Sequence, residues 1–213
     1  PLDILSKPMS FDVKLKNGKY EKFINDQFEI EQGILTSSKW RSVNTSENFK
    51  MNVSGLIEYD GMMDIKINLI ANNDISLDDI SFLISMEKDA SKYMMGLGRK
   101  GGKLTKNINW KWDISKHQEG LWLGNVNRGL QFVLRDNNYE RPLNTNFYQS
   151  KPLNLPESWY NESKGGINIS LGKDEVSIVI FSNDRFMKKG DSLDFNLRFL
   201  ITPFKLINTE EHF

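Results

Sequence analysis

Three of the five tryptophans, Trp110, Trp112 and Trp122, fall in one stretch of the 213-residue chain, Tyr93 to Leu134, together with His117 and many of the glycines. Trp159 and Tyr160 add a second aromatic pair. Large rings on glycine-rich loops have two chemical uses: they stack on the apolar faces of sugar rings, or they fill the contact between domains. In the first use Arg141, Asn154 and Asn127 would meet sugar hydroxyls; in the second the same rings would leave an apolar patch on the isolated chain near Trp110, Trp112 and Trp159. Trp110 and Trp112 share a face if their stretch is extended. Asp113 and Glu119 flank His117, and the spacing alone gives none of the three a role.

Other reactive arrangements are weak or absent. Gly96-Leu97-Gly98-Arg99-Lys100-Gly101 matches G-x-G-x-x-G, but the residues that follow, Lys103 to Trp112, lack the helical period on which a bound pyrophosphate would rest. The expectation is a glycine-rich connection and no cofactor. His117 and His212 are the only histidines and cysteine is absent, so a transition-metal site is not expected, nor is a cysteine or G-x-S-x-G nucleophile. Hydrolysis of a glycosidic bond needs two carboxylates facing each other, and twenty-eight acids dispersed along the chain nominate no pair.

The elements that must position these residues are strands. Met9, Phe11, Val13 and Leu15 alternate with polar residues, Asn17-Gly18 marks a turn, and Tyr20 to Ile24 is expected as the return strand. A short strand is expected at Gln27 to Ile30, and the polar, serine-rich segment Thr36 to Glu47 reads as loop. Phe49 to Leu69 forms a hairpin. A two-residue Asp60-Gly61 turn would set its two apolar rows on opposite faces, whereas a three-residue loop with Gly61 left-handed pairs Ile57 with Met63 and Val53 with Ile67 on one face. The three-residue loop is expected. Ile75 to Met86 fits both helical and strand spacing, and its surroundings favour a strand, with a single helical turn at Lys88 to Tyr93. Leu121 to Leu123 and Gly129 to Arg135 make another hairpin, followed by an irregular passage from Asp136 to Gly166. Ile167 to Leu171, an apolar run at Val176 to Phe181 covered on both faces, and Leu193 to Ile201 complete the set.

About ten strands, many joined by hairpin turns, with very little helix and long connecting loops, predict an all-β, two-sheet antiparallel β-sandwich, expected as a single domain over 1–213. Twenty-eight basic and twenty-eight acidic residues cancel, which removes the electrostatic footprint of a nucleic-acid binder. No stretch approaches the roughly 20 apolar residues of a membrane span.

From Tyr93 onward a series of short motifs is shared with a known family: Met95-Gly96-Leu97-Gly98, Gly101-Gly102, Trp110-Lys111-Trp112-Asp113, Lys116-His117-Gln118, Leu121-Trp122-Leu123-Gly124 and Gly129-Leu130. Further on come Tyr139, Arg141-Pro142-Leu143, Pro152-Leu153-Asn154-Leu155-Pro156, Trp159, Gly165-Gly166 and Thr202-Pro203-Phe204-Lys205, with Glu58-Tyr59-Asp60-Gly61-Met62 earlier. In these the chain resembles the N-terminal β-sandwich region of glycoside hydrolase family 123 and related bacterial proteins. The resemblance implies exo-acting β-N-acetylgalactosaminidase chemistry in a separate catalytic barrel following Phe213, where an Asp-Glu pair assists the substrate acetamido group. No acid of this chain inherits that role. For the chain itself it implies a non-catalytic accessory domain of a larger, exported bacterial protein, with the barrel and glycans as partners. The alternative is a carbohydrate-binding module that uses exposed tryptophans.

Overall fold

The computed structural model describes residues 3–32, 36–113, 120–138 and 155–203. In chain order its strands begin with β1 (Ser10–Leu15), β2 (Ile24–Gln32), β3 (Ser37–Thr45), β4 (Phe49–Glu58), β5 (Met62–Ala71) and β6 (Ile75–Glu87). Next come β7 (Tyr93–Gly96), β8 (Arg99–Lys103), β9 (Ile108–Lys111), β10 (Leu121–Gly124) and β11 (Gly129–Arg135). The last are β12 (Gly166–Leu171), β13 (Glu175–Phe181), β14 (Arg185–Met187), β15 (Ser192–Asp194) and β16 (Asn196–Thr202). Helix is confined, among the described residues, to a 3-10 turn at Asp89–Ser91 and one turn of α1, Glu157–Tyr160.

The strands form two antiparallel sheets packed face to face, the all-β sandwich expected from the alternation pattern. The smaller runs β1-β6-β13-β12-β9, with β14 also on β6; the larger runs β2-β3-β4-β5-β16-β11-β10-β7-β8, with β15 also on β5. Their inner faces meet in one apolar cluster. Phe199 joins the sheets by contacting Phe82 and Phe132, with ring centroids 6.2 and 6.1 Å apart. Phe195 does the same between Phe11 and Trp159, at 5.5 and 4.8 Å.

The β4–β5 hairpin has the bulged register, Ile57 opposite Met63 and Val53 opposite Ile67, with Gly61 at φ 85°. The helix-like spacing in β6 has a local cause. Pairing with β1 slips between Lys14 and Leu15, so Leu77 and the even-numbered row Ile80, Phe82, Ile84 and Met86 all reach the core despite a change of phase. A strand containing one bulge mimics a period nearer 3.6 over a few residues.

Four expectations are corrected. Thr36 to Glu47 is not a loop but contains β3, which pairs along its whole length with both β2 and β4. None of its residues is fully buried, so backbone pairing rather than apolar burial defines the strand, and polar side chains are tolerated on both faces. Tyr20 makes one isolated bridge to Lys14, after which the chain leaves for the other sheet as β2, so no full return strand forms. β13 buries Val176, Ile178 and Ile180 on one face, whereas on the other Ser177 and Val179 are half-buried and Phe181 alone is buried, so the second face is only partly covered. There are sixteen described strands, not ten, because several are only three or four residues long.

The glycine pattern at Gly96 is a hairpin between β7 and β8. Leu97 and Gly98, at φ 51° and 65°, occupy a two-residue turn of the kind that requires two positive φ values. Leu97 is buried there, and its N–H donates to the Gly120 carbonyl at 3.0 Å. Gly96 (φ 121°) abuts the same carbonyl; a methyl group at Gly96 would lie 2.1 Å from that oxygen. Gly96→Ala is therefore expected to cost about 2 kcal/mol or more in urea unfolding. Gly102→Ala, where nothing lies within 4 Å, should change stability by no more than about 0.5 kcal/mol.

Candidate functional site

The aromatic residues nominated from the sequence sit inside the protein. Trp110 and Trp112, at the end of β9 and just beyond it, face the same side as expected, and are 9% and 8% exposed. Their rings meet edge to face at 5.0 Å, and Tyr160 meets Trp112 at 6.1 Å with an interplanar angle of 88°. Trp159, on α1, is fully buried and its Nε1 donates to the Asn196 carbonyl at 3.1 Å. The exposed patch expected at Trp110, Trp112 and Trp159 is thus not present: the rings are core, packed edgewise with no common plane.

Trp122, on the outward face of β10, is half-buried and donates from Nε1 to Thr202 Oγ1 at 3.0 Å. Its ring lies across Gly124 and Gly129, where added methyl groups would come within 2.2 and 2.8 Å of it. Asp113 is half-buried. His117, Arg141 and Asn154 lie outside the described residues.

A polar cleft that the sequence reading did not single out crosses the outward face of the larger sheet. In β5 the apolar residues Ile65, Ile67 and Leu69 point inward, so Asp64, Lys66 and Asn68 must point out. β16 pairs with β5 so that Arg198 stands opposite Asp64, and Asn196 of β16 stands opposite Arg135 of β11. Arg198 grips Asp64 with Nε and Nη2 donating to the two carboxylate oxygens, both at 2.7 Å. Arg135 Nη1 approaches the same carboxylate at 3.6 Å. One carboxylate thus serves two guanidinium groups.

Beside this cluster runs a chain of amides. Asn68 donates to Asp194 at 2.9 Å and to Ser192 at 2.7 Å. Asn137 donates to the other oxygen of Asp194 at 2.6 Å, and Asn196 donates to Asn137 at 3.1 Å. Asp136 receives the backbone N–H groups of Asn138 and Glu157 at 2.8 and 2.9 Å. Two adjoining hollows of about 110 and 540 Å³ open over these groups, sharing Lys66, Asn137 and Asn196 in their walls. The larger falls within the roughly 300–1,000 Å³ usual for small-molecule sites. Among the described residues no group of three His, Asp or Glu side chains is placed to hold a metal ion.

A different electrostatic centre lies beside α1. Burial pushes the Asp79 carboxyl above its usual range, while the N–H groups of Asn183 and Ser182, donating to Oδ1 at 2.7 and 3.2 Å, pull it back. Burial also lowers Arg185 to about 10, against the charge of Asp79. Arg185 Nη2 donates to the Ser158 carbonyl at 2.6 Å, which ties α1 to β14.

A family model described as "Glycoside hydrolase 123, third domain" matches residues 1–203. Comparison with curated protein sequences finds no match. Among solved structures, a galactose mutarotase-like protein from Clostridium acetobutylicum aligns at 9% identity and a TM-score of 0.48, covering 92% of this chain and 79% of that one. A galactose mutarotase related enzyme from Lactobacillus acidophilus aligns at 9% identity and a TM-score of 0.47, covering 95% and 87% respectively. Both likenesses are distant.

Two outcomes are expected. Asp64→Asn weakens the paired hydrogen bonds and leaves two guanidinium groups facing a neutral amide, and should cost about 1–3 kcal/mol in urea unfolding. For Asp79 the folded pKa lies above the unfolded one, so the folded chain holds more proton and this group's contribution to stability falls as pH rises from about 4 through the folded value. Asp79→Asn removes that dependence. The difference in stability between wild type and Asp79→Asn should change across that window and be flat above it, as measured by urea midpoints at a series of pH values.

Proposed function

The chain belongs to the glycoside hydrolase 123 third-domain family, and from that premise we propose that it serves as a non-catalytic accessory domain of a larger carbohydrate-active protein. Its partner is a catalytic barrel of the same polypeptide, where β-N-acetylgalactosaminidase chemistry would reside. The expected N-terminal position finds no support in a description that names a third domain, so the barrel is proposed as a neighbour without regard to order. An exported, bacterial setting and glycans as partners belong to the same proposal.

The state of the carboxylates in the cleft is the observation that carries this reading. Cleaving a glycosidic bond with paired acids requires one to give a proton and the other to attack or to activate water, across roughly 5–10 Å of open space. Asp64 is held by Arg198 with Arg135 beside it, Asp194 by two side-chain amides and Asp136 by two backbone N–H groups. Carboxylates committed to neighbouring donors shape a surface and are poorly placed to exchange protons with a substrate. Burial of Trp110, Trp112 and Trp159 counts against a sugar-binding module that works through these rings and equally against a barrel contact made by them, so the accessory role rests on the family and on the engaged carboxylates.

The purified chain, the parent polypeptide and the parent lacking this segment would be assayed against a chromogenic β-N-acetylgalactosaminide. The chain alone should give only background hydrolysis. Removing it from the parent should lower the parent's melting temperature while the turnover of the remaining folded protein persists. Hydrolysis by the isolated chain, abolished by substituting one of its own acids, would overturn the reading.

A further inference from the structure

We propose that the outward cleft of the larger sheet binds a sugar carrying one anionic group, with Arg41 and Lys66 as the cations that receive the anion and Asn52 and Asn68 as the partners of its hydroxyls.

Cross-strand register brings the two cations together. Arg41 on β3 stands opposite Ser54 on β4, and Ser54 stands opposite Lys66 on β5. Strands lie about 4.8 Å apart, so the two cations start roughly 10 Å from each other at the backbone and bracket one hydroxyl. Long side chains rooted at that spacing can converge on a single anion above Ser54. All three residues line the larger hollow.

The charges in this cleft are not balanced. Asp64 and Asp194, the acids nearest to Lys66 along β5 and across to β15, are engaged by Arg198 and by the amides of Asn68 and Asn137. Glu29 stands opposite Arg41 on β2 but makes no ion pair with it among the described residues. Neither the Arg41 nor the Lys66 side chain has a hydrogen-bond or ion-pair partner among the described residues. The larger hollow is lined by two cations, Arg41 and Lys66, and one carboxylate, Asp194, whose charge the neutral amides do not cancel, so its floor is net positive by one in a chain whose acids and bases are equal in number.

The next row across the same strands supplies groups suited to hydroxyls. Val43 stands opposite Asn52, Asn52 opposite Asn68, and Asn68 opposite Asp194. Asn68 is held by Ser192 and Asp194, so its amide is oriented before any ligand arrives. The contact from Asn52 to Asn68, at 3.5 Å, is long enough to give way to a better partner. Val43 offers a small apolar surface in the same wall, on which the C–H face of a pyranose can rest. Guanidinium and ammonium groups select for a negative group, the amides for a polyol, and the hollow of about 540 Å³ for a ligand of one or two rings. The anion can come from a uronic acid carboxylate or from a sulfate ester, since both would meet the same two cations.

The whole chain would be titrated by calorimetry with galacturonate, with galactose 6-sulfate and with galactose, at low and at raised ionic strength. Saturable binding of one or both acidic sugars is expected, at least about tenfold tighter than galactose, weakening with salt. The two acidic arms identify the anion. Lys66→Gln and Arg41→Gln should each weaken binding about tenfold. Lys100→Gln, on β8 at the far edge of the sheet, should leave it unchanged. All three side chains are exposed, so the variants should melt at the wild-type temperature, and this is checked by circular dichroism. Equal affinity for galactose and its acidic relatives, absence of binding to any of the three, or indifference to Lys66→Gln and Arg41→Gln would each overturn the inference. None of these outcomes touches the accessory role, which stands on the hydrolysis and deletion assays.

Discussion

The register of β5 between β4 and β16 is the constraint on which the rest depends. Side chains alternate along a strand, so one choice of pairing assigns Ile65, Ile67 and Leu69 to the core and Asp64, Lys66 and Asn68 to the cleft. A slip of one residue would drive an aspartate, a lysine and an asparagine between the sheets and turn three aliphatic side chains to water. Burying unpaired charge costs far more than any single contact in the sandwich contributes. The left-handed Gly61 in the β4–β5 turn is the local device that enforces the choice, because the three-residue loop keeps odd residues facing odd ones.

That part of the fold was legible in the sequence because core burial and turn chemistry point the same way. β3 was not legible. A strand is read from apolar alternation, and β3 carries Ser37, Ser38, Lys39, Arg41, Ser42, Asn44 and Thr45 around a single tryptophan. It lies near the free edge of the larger sheet, beside β2, where Phe28 and Ile30 remain 58% and 61% exposed. Burial puts little demand on side chains there, and the ladder of backbone hydrogen bonds is the main reason the segment is extended. Arg41 and one wall of the cleft belong to that strand, so they are no more legible in the sequence than the strand itself.

The cleft was hidden for a second reason. Tryptophan and glycine draw attention in a sequence because they are rare and conformationally special, whereas Asp64, Lys66, Asn68 and Arg198 look like the solvated face of ordinary strands. The signal that could have found them was already contained in the hairpin reading: once the inward row of β5 is assigned, the outward row is assigned too. What no single strand reveals is that β16, from the far end of the chain, sets Arg198 against Asp64. Convergence of residues more than 130 positions apart is a property of topology.

The aromatic residues then have an internal task. Trp159 closes the end of the sandwich against Phe195, and the Trp110–Trp112–Tyr160 contacts join β9 to α1, so this cluster fastens α1 to both sheets. Glycines make that possible: Gly165 and Gly166 lie so close to the Trp159 and Trp110 carbonyls that added methyl groups would approach within 1.9 and 2.4 Å. Tryptophan and glycine therefore occur together because large rings and tight backbone crossings share the same crowded end of the molecule. A surface for recognising ligands must then lie elsewhere, on groups whose positions are set by strands and whose charges are not spent on one another. In the outward cleft, Arg198 and Arg135 both engage Asp64, neutral amides hydrogen-bond Asp194 without cancelling its charge, and the Lys66 and Arg41 side chains face solvent with no ion pair among the described residues.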